Sequence, residues 1–346
     1  MSPTNKQKAY RFARMAAWVG PLPLYLVFAW YLLFPYRQHL DAWGRSLPWV
    51  LGLGAWGGFC LAMPQVRSFT AALLCGALYG FGPLVLYMAR FHLCAVAAAA
   101  AVPWSLMPWA LARRSRPWLR WPLLALPFVG IAGGFKILDA LHLFVLPVSA
   151  GRVSGIDWGV LIAPLLKAGQ GRVLLGLYHV AVGLLIPGVV RLVKSGPREL
   201  LWPLGLGCLA AVWNPVFEVS PLVWLAIPQA VACVYAGLGV QALQHAGARD
   251  RGWVLAACAA LVILAVTMLM GSGRCFQVFM GLGAPYARLL VLDAKLYLLG
   301  SAALAGIYGL SRLGLGWVWP RMALICAVLG LDLWVSAGCV VGTLFC

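Results

Sequence analysis

The sequence predicts an all-α protein, a polytopic bundle of transmembrane helices joined by short loops. Of its 346 residues, 63% are hydrophobic and only 10% are charged, whereas soluble domains carry roughly 25% charged residues. The mean hydropathy is +0.91. Apolar stretches of about 20 residues, the length that crosses the hydrocarbon of a bilayer, recur along the chain. Because no polar stretch is long enough to fold separately, we expect residues 1–346 to form one integral membrane domain.

These stretches define about eleven spans, within a range of ten to twelve. The predicted spans are 15–35, 47–63, 68–88, 93–112, 121–147, 172–191, 201–217, 219–241, 253–270, 286–310 and 322–345. Sixteen Lys and Arg residues fall on the side of the N-terminus and six on the opposite side. The positive-inside rule therefore predicts a cytoplasmic N-terminus. The net charge of +18 is explained by basic loops that face anionic lipid head groups, so we predict no nucleic-acid partner.

The segment 158–171 does not fit the simple pattern of spans. Residues 157–191 contain more apolar positions than one helix needs, and a run of basic, polar and glycine residues interrupts them at 167–172. One interpretation is a re-entrant half-helix, which is tolerated at membrane depth only where protein or water surrounds it. The other is an amphipathic helix that lies at the membrane interface. The sequence leaves both open.

Ionisable residues inside apolar spans are the best functional pointers in the chain. A charge in hydrocarbon costs about 2.5–3.5 kcal/mol on insertion scales, so such residues need partners, water or a function. The run 135–142 places Lys136, Asp139 and His142 at helical spacing within an otherwise apolar stretch. Lys136 and Asp139 can also neutralise one another on one helix face, which would make them structural.

The predicted topology brings ionisable residues of several spans to the outer half of the bilayer. If the helices adjoin, they line an outward-facing polar cavity with a basic mouth, which favours an anionic ligand. The predicted binding or path-lining residues are Lys136, Asp139, His142, Lys167, Arg172, His179, Glu218, Asp293, Lys295 and Asp332.

Motifs for catalysis or metal binding are scarce. The ten cysteines form no CxxC pair, so no zinc site is predicted, and no catalytic signature occurs. His142 and His179 lie at similar depths on consecutive antiparallel spans and are candidate haem ligands. A histidine beside a carboxylate can also relay protons, and a hydrogen-bonded core histidine remains the structural alternative.

Three functions compete at this stage. The favoured one is a permease of a bacterial inner membrane that moves a small solute or ion, anionic ones included, through the outward-facing cavity. The first alternative is a membrane anchor or redox subunit of a larger complex that binds quinone or haem. The second is a lipid-modifying membrane enzyme, which has the least support because no nucleophile–base pair can be assembled. The expected partners are membrane lipids, other membrane subunits and a small-molecule or ion ligand.

Overall fold

The computed structural model describes residues 18–38, 44–66, 68–90, 92–112, 117–141, 158–169, 174–195, 201–212, 221–279, 283–312 and 318–345. The described residues form helices and connecting turns, and no strand occurs among them. The all-α class predicted from composition is therefore confirmed.

Seven helices make up the first part of the described chain. They are α1 (Pro21–Leu33), α2 (Leu47–Ala62), α3 (Phe69–Gly80), α4 (Pro83–Met88), α5 (Leu93–Ser105), α6 (Met107–Ala112) and α7 (Pro117–Ala140). Five of them, α1, α2, α4, α6 and α7, have proline in the first two positions. Proline is tolerated there because those backbone N–H groups have no partner within the helix.

Seven further helices are described in the second part of the chain, and the last four of them are long. They are α8 (Pro164–Gly169), α9 (His179–Ser195), α10 (Leu201–Val212), α11 (Pro221–Gln244), α12 (Arg251–Phe279), α13 (Ala284–Arg312) and α14 (Val318–Phe345). Short 3₁₀ turns lie at Trp158–Leu161 and Ala248–Asp250.

Five helical stretches are long and apolar enough to cross a membrane, as expected of a multi-pass membrane protein. They are Phe69–Met88, Pro221–Gln244, Arg251–Cys275, Ala284–Leu310 and Val318–Leu344. Shorter apolar helices, Pro21–Tyr36 and Leu47–Ala62 among them, lie at other predicted spans. The count of about eleven spans is therefore not confirmed, and the orientation of the N-terminus stays a prediction.

Helix α11 lies at the centre of the bundle. It contacts α2, α3 and α5 on one side and α9, α10 and α14 on the others. Glycines allow its close approach to α9, since a Cβ at Gly188 would collide with the carbonyl oxygen of Tyr235 and one at Gly239 with that of Leu184. Small residues at helix crossings are the usual way for membrane helices to gain packing contacts.

Helices α12 and α13 form an antiparallel hairpin, and α9 packs against both of them and against α14. The short helix α8 contacts α13 and α14. Its core-facing residues Ala163, Leu165 and Ala168 are buried, whereas Leu161 and Ile162 just before it are exposed. Helices α8, α9, α13 and α14 thus converge on one buried region, which contains the candidate site.

The turn before α12 carries an acidic residue outside the spans. Asp250 accepts hydrogen bonds from the backbone N–H of Gly247 at 2.9 Å and from the indole N–H of Trp253 at 2.8 Å. Burial opposes ionisation of this carboxyl group, but the two hydrogen bonds and the charges of Lys194 and Arg191 outweigh it. The pKa of Asp250 is therefore lowered from its usual value.

Candidate functional site

An imidazole lies between two carboxylates in the interior of the bundle. His179 Nε2 is 2.6 Å from Asp293 Oδ1, and His179 Nδ1 is 2.9 Å from Asp332 Oδ1. The exposed fraction is 0% for His179 and Asp293 and 1% for Asp332. We call these three residues the Asp–His–Asp cluster. It joins the start of α9 to the middle parts of α13 and α14.

Asp293 also holds the short helix α8. Its Oδ1 accepts the backbone N–H of Leu165 at 3.3 Å and its Oδ2 accepts that of Leu166 at 3.4 Å. One helical turn further along α13, the hydroxyl of Tyr297 donates to the carbonyl oxygen of Ile162 at 2.9 Å. The first N–H groups of a helix have no partner within it. Asp293 supplies that partner from another helix, so the segment 162–166 is attached to α13.

Asp332 plays the same part for α9. Its Oδ2 accepts the backbone N–H of Val180 at 2.8 Å, and its Oδ1 accepts the hydroxyl of Ser336 at 3.1 Å. Ser336 follows Asp332 by one turn of α14, is fully buried and lies 3.4 Å from His179 Nδ1. The positive end of the α9 dipole faces this carboxylate, which favours its negative charge.

The chain before α9 is bent so that His179 becomes the first residue of the helix. Gly176 has a positive φ of 89°, a conformation that only glycine adopts without strain. The side chain of Gln229 on α11 fixes this bend from both sides. Its oxygen accepts the N–H of Gly176 at 3.0 Å, and its amide N–H₂ donates to the carbonyl oxygen of the same residue.

The two short contacts of the cluster limit the number of protons that it can hold. Each of the two short N···O contacts needs one shared proton. An imidazolium between two carboxylates supplies two, and so does a neutral imidazole beside one carboxylate and one carboxylic acid. Both forms carry a net charge of −1. Gaining one proton makes the cluster neutral, and losing one leaves an N···O contact without hydrogen.

The geometry favours proton sharing over other chemistry at these residues. Both ring nitrogens of His179 face carboxylates, so neither is directed toward a haem iron. Among the described residues no group of three or more His, Cys, Asp or Glu could hold a metal ion. Ser336 contacts His179 and His179 contacts Asp293, the order of contacts in the catalytic triad of a serine hydrolase. The Ser336 hydroxyl, however, donates to Asp332 and is fully buried.

The structure brings together three of the predicted residues, His179, Asp293 and Asp332. Lys167 is half-buried on α8, the helix that Asp293 holds. Lys295 is exposed on α13, two residues beyond the buried Asp293. Because successive helix residues are rotated by about 100°, its side chain lies on nearly the opposite face of α13 from the cluster.

The run in α7 does not join the cluster through Lys136. Helix α7 packs against α5 and α6, and the side chain of Lys136 is exposed. The side chain of Asp139 lies outside the described part of the structure. His142, Arg172 and Glu218 also lie outside the described residues.

Sequence reasoning missed four buried polar side chains that complete this region. Ser336 and Tyr297 each follow a cluster aspartate by four residues, the spacing of neighbours on one helix face. Gln229 is a buried amide within an apolar helix. The hydroxyl of Tyr178 is buried beside His179 and has no hydrogen-bond partner within the described structure. The i+4 spacing was the available signal for the first two.

No protein-family model, no curated protein and no solved structure matches this chain. The cluster and its surroundings are therefore interpreted from their own geometry.

Proposed function

We propose that this protein is a permease of a bacterial inner membrane that couples the movement of a small solute or ion to protonation of the Asp–His–Asp cluster. The observation that carries this proposal is the imidazole of His179, enclosed between two carboxylates with no exposure to the surroundings. Ionisable groups inside membrane proteins are costly, and they mark proton relays and substrate paths by default.

Because Asp293 holds α8 through hydrogen bonds, a proton that binds to Asp293 changes how firmly this helix is attached. In the charged form Asp293 accepts from the N–H groups of Leu165 and Leu166 and from His179. A carboxylic acid carries a proton on one oxygen, so it accepts fewer of these donors. Protonation of Asp293 therefore loosens α8, while Tyr297 continues to hold the segment at Ile162.

This arrangement links proton occupancy to the position of a short broken helix. Discontinuous helices line binding sites in many transporters, where their backbone groups meet substrates and coupling ions. We infer that residues 158–169 form a re-entrant segment whose movement opens the cluster to one side of the membrane.

Proton binding by the cluster is the first quantity to measure. Infrared difference spectra of the purified protein between mildly acidic and mildly alkaline buffer should show a carboxylic-acid C=O band that Asp293→Asn or Asp332→Asn changes. The matched control is Asp250→Asn, because Asp250 lies in a turn and contacts none of the three residues. A spectrum in which both cluster variants equal the wild type would refute proton binding at the cluster.

Transport is tested in proteoliposomes that contain a pH-sensitive dye and face an imposed pH gradient. Chloride, acetate, sulfate and inorganic phosphate serve as probes. We expect at least one of these anions to accelerate the collapse of the gradient relative to empty vesicles, and Asp293→Asn to abolish the acceleration. Wild-type flux equal to that of empty vesicles with all four probes, or full flux in Asp293→Asn, would overturn the proposed coupling.

A further inference from the structure

A groove with two cations lies on the face of α13 that points away from the cluster. A cavity of about 740 Å³ between α12 and α13 is lined by Ser272, Gln277, Arg288 and Lys295 together with apolar residues such as Val291. Arg288 and Lys295 are both exposed. No acidic residue is among those lining the cavity, and within the described structure no ion pair to either cation is present.

The two cations are arranged along one face of α13. They are seven residues apart, which is two helical turns, or about 10 Å along the axis. The Cα–Cβ bonds of a helix tilt toward its N-terminus. Arg288 lies about 6 Å from the start of α13, and the long stems of both residues lead toward that end of the helix. Both charges can meet one anionic group near the end of the hairpin.

The walls of the groove match an amphiphile better than a small free anion. Val291 and Leu292 line it beside the cations, and the exposed surface of α12 toward its middle, at Ile263 and Val266, is apolar. A phospholipid offers a phosphate for the cations and acyl chains for this surface. Basic pockets between membrane helices are sites for anionic head groups.

We propose that the groove between α12 and α13 binds the phosphate of an anionic phospholipid through Arg288 and Lys295. The site is independent of the proposed transport, since it lies on the opposite face of α13 from Asp293.

The test uses the full-length protein in mild detergent, with phosphatidylglycerol or phosphatidylcholine of identical acyl chains, and counts retained lipids by native mass spectrometry. We expect preferential retention of phosphatidylglycerol. Arg288→Gln and Lys295→Gln should each weaken it about fivefold, the effect of one cation near a lipid surface. The charge-preserving Lys295→Arg should retain it. Val291→Trp should also weaken retention, because the larger side chain fills the groove while both charges remain.

Arg274→Gln is the matched control. Arg274 is exposed at the same end of the α12–α13 hairpin but does not line the groove, so its loss should leave retention unchanged. Three results would overturn the proposal: equal retention of the two lipids, an equal loss in Arg274→Gln, or displacement of phosphatidylglycerol by inorganic phosphate. The last result would instead assign the groove to a small free anion.

Discussion

Replacing Asp332 in two ways separates its charge from its hydrogen bonds. As a carboxylate, Asp332 accepts three donors, from His179, Val180 and Ser336. In Asp332→Asn the side-chain carbonyl can take the place of Oδ1 and keep two of them, but the amide N–H₂ then faces the N–H of Val180. One buried donor without an acceptor costs about 1–3 kcal/mol. In Asp332→Ala all three donors lose their acceptor, and a buried charge cluster broken in this way costs about 3–5 kcal/mol.

The free energy of unfolding is measured by titration with SDS in mixed micelles, for the wild type, both variants and the control Arg274→Gln, whose side chain is exposed. We expect the order of stability wild type, then Asp332→Asn, then Asp332→Ala, with a gap of about 2 kcal/mol between the two variants from the ranges above. If the two variants unfold with the same free energy, or if both equal the wild type, Asp332 is not the shared acceptor that the geometry indicates.

Three further predictions concern other parts of the bundle. Gly239→Ala should destabilise the protein by about 1–3 kcal/mol, because the added methyl group overpacks the crossing of α9 and α11. Gly306→Ala should not, because Gly306 is exposed on α13 and a Cβ there would meet nothing within 4 Å. Equal unfolding midpoints of the two variants would contradict this reasoning. Gln229→Leu should cost about 1–3 kcal/mol for each backbone group of Gly176 left without a partner, and Gln229→Glu should cost less in the same titration at acidic pH, where the protonated side chain keeps both an acceptor and a donor. The pKa of the Asp250 carboxyl is lower in the folded protein than in the unfolded chain. Ionised Asp250 therefore stabilises the fold at any pH above the unfolded-state pKa, and this stabilisation is lost as the pH falls through the folded-state pKa. The melting temperatures of the wild type and Asp250→Asn should differ at neutral pH and converge in acid, and a difference that stays constant with pH would refute this reasoning.

The sequence could place the three cluster residues among ten candidates because hydrocarbon makes ionisable residues rare. His179, Asp293 and Asp332 stand out in apolar stretches, and their spacing along the predicted spans brings the first two to the outer half of the bilayer. Which helices adjoin is not contained in that spacing. It depends on packing details such as the glycines at Gly188 and Gly239, which bring α9 against α11.

The same limit explains why Lys136 was grouped with the cluster. Its predicted depth falls in the same half of the bilayer, but depth fixes only one coordinate of a helix within a bundle. Helix α7 packs against α5 and α6, so Lys136 is exposed instead of facing α9 and α13. Lys295 shows the complementary case. It shares a helix with Asp293, yet its position two residues further along turns it to the opposite face.

A cluster with a purely structural role and a cluster that binds protons would both need hydrogen-bond partners for their buried polar groups. The presence of those partners therefore does not separate the two roles. The two roles differ in what they require of the groups that the carboxylates bind. Each accepts backbone N–H groups at the start of a helix, Asp293 from Leu165 and Leu166 and Asp332 from Val180. A neutral serine or asparagine could cap those helices at lower electrostatic cost. In the proposed function, two carboxylates on one imidazole add a titratable charge to the attachment of α8, and a proton that neutralises this charge also weakens the attachment. That coupling is what a permanent lock would not need.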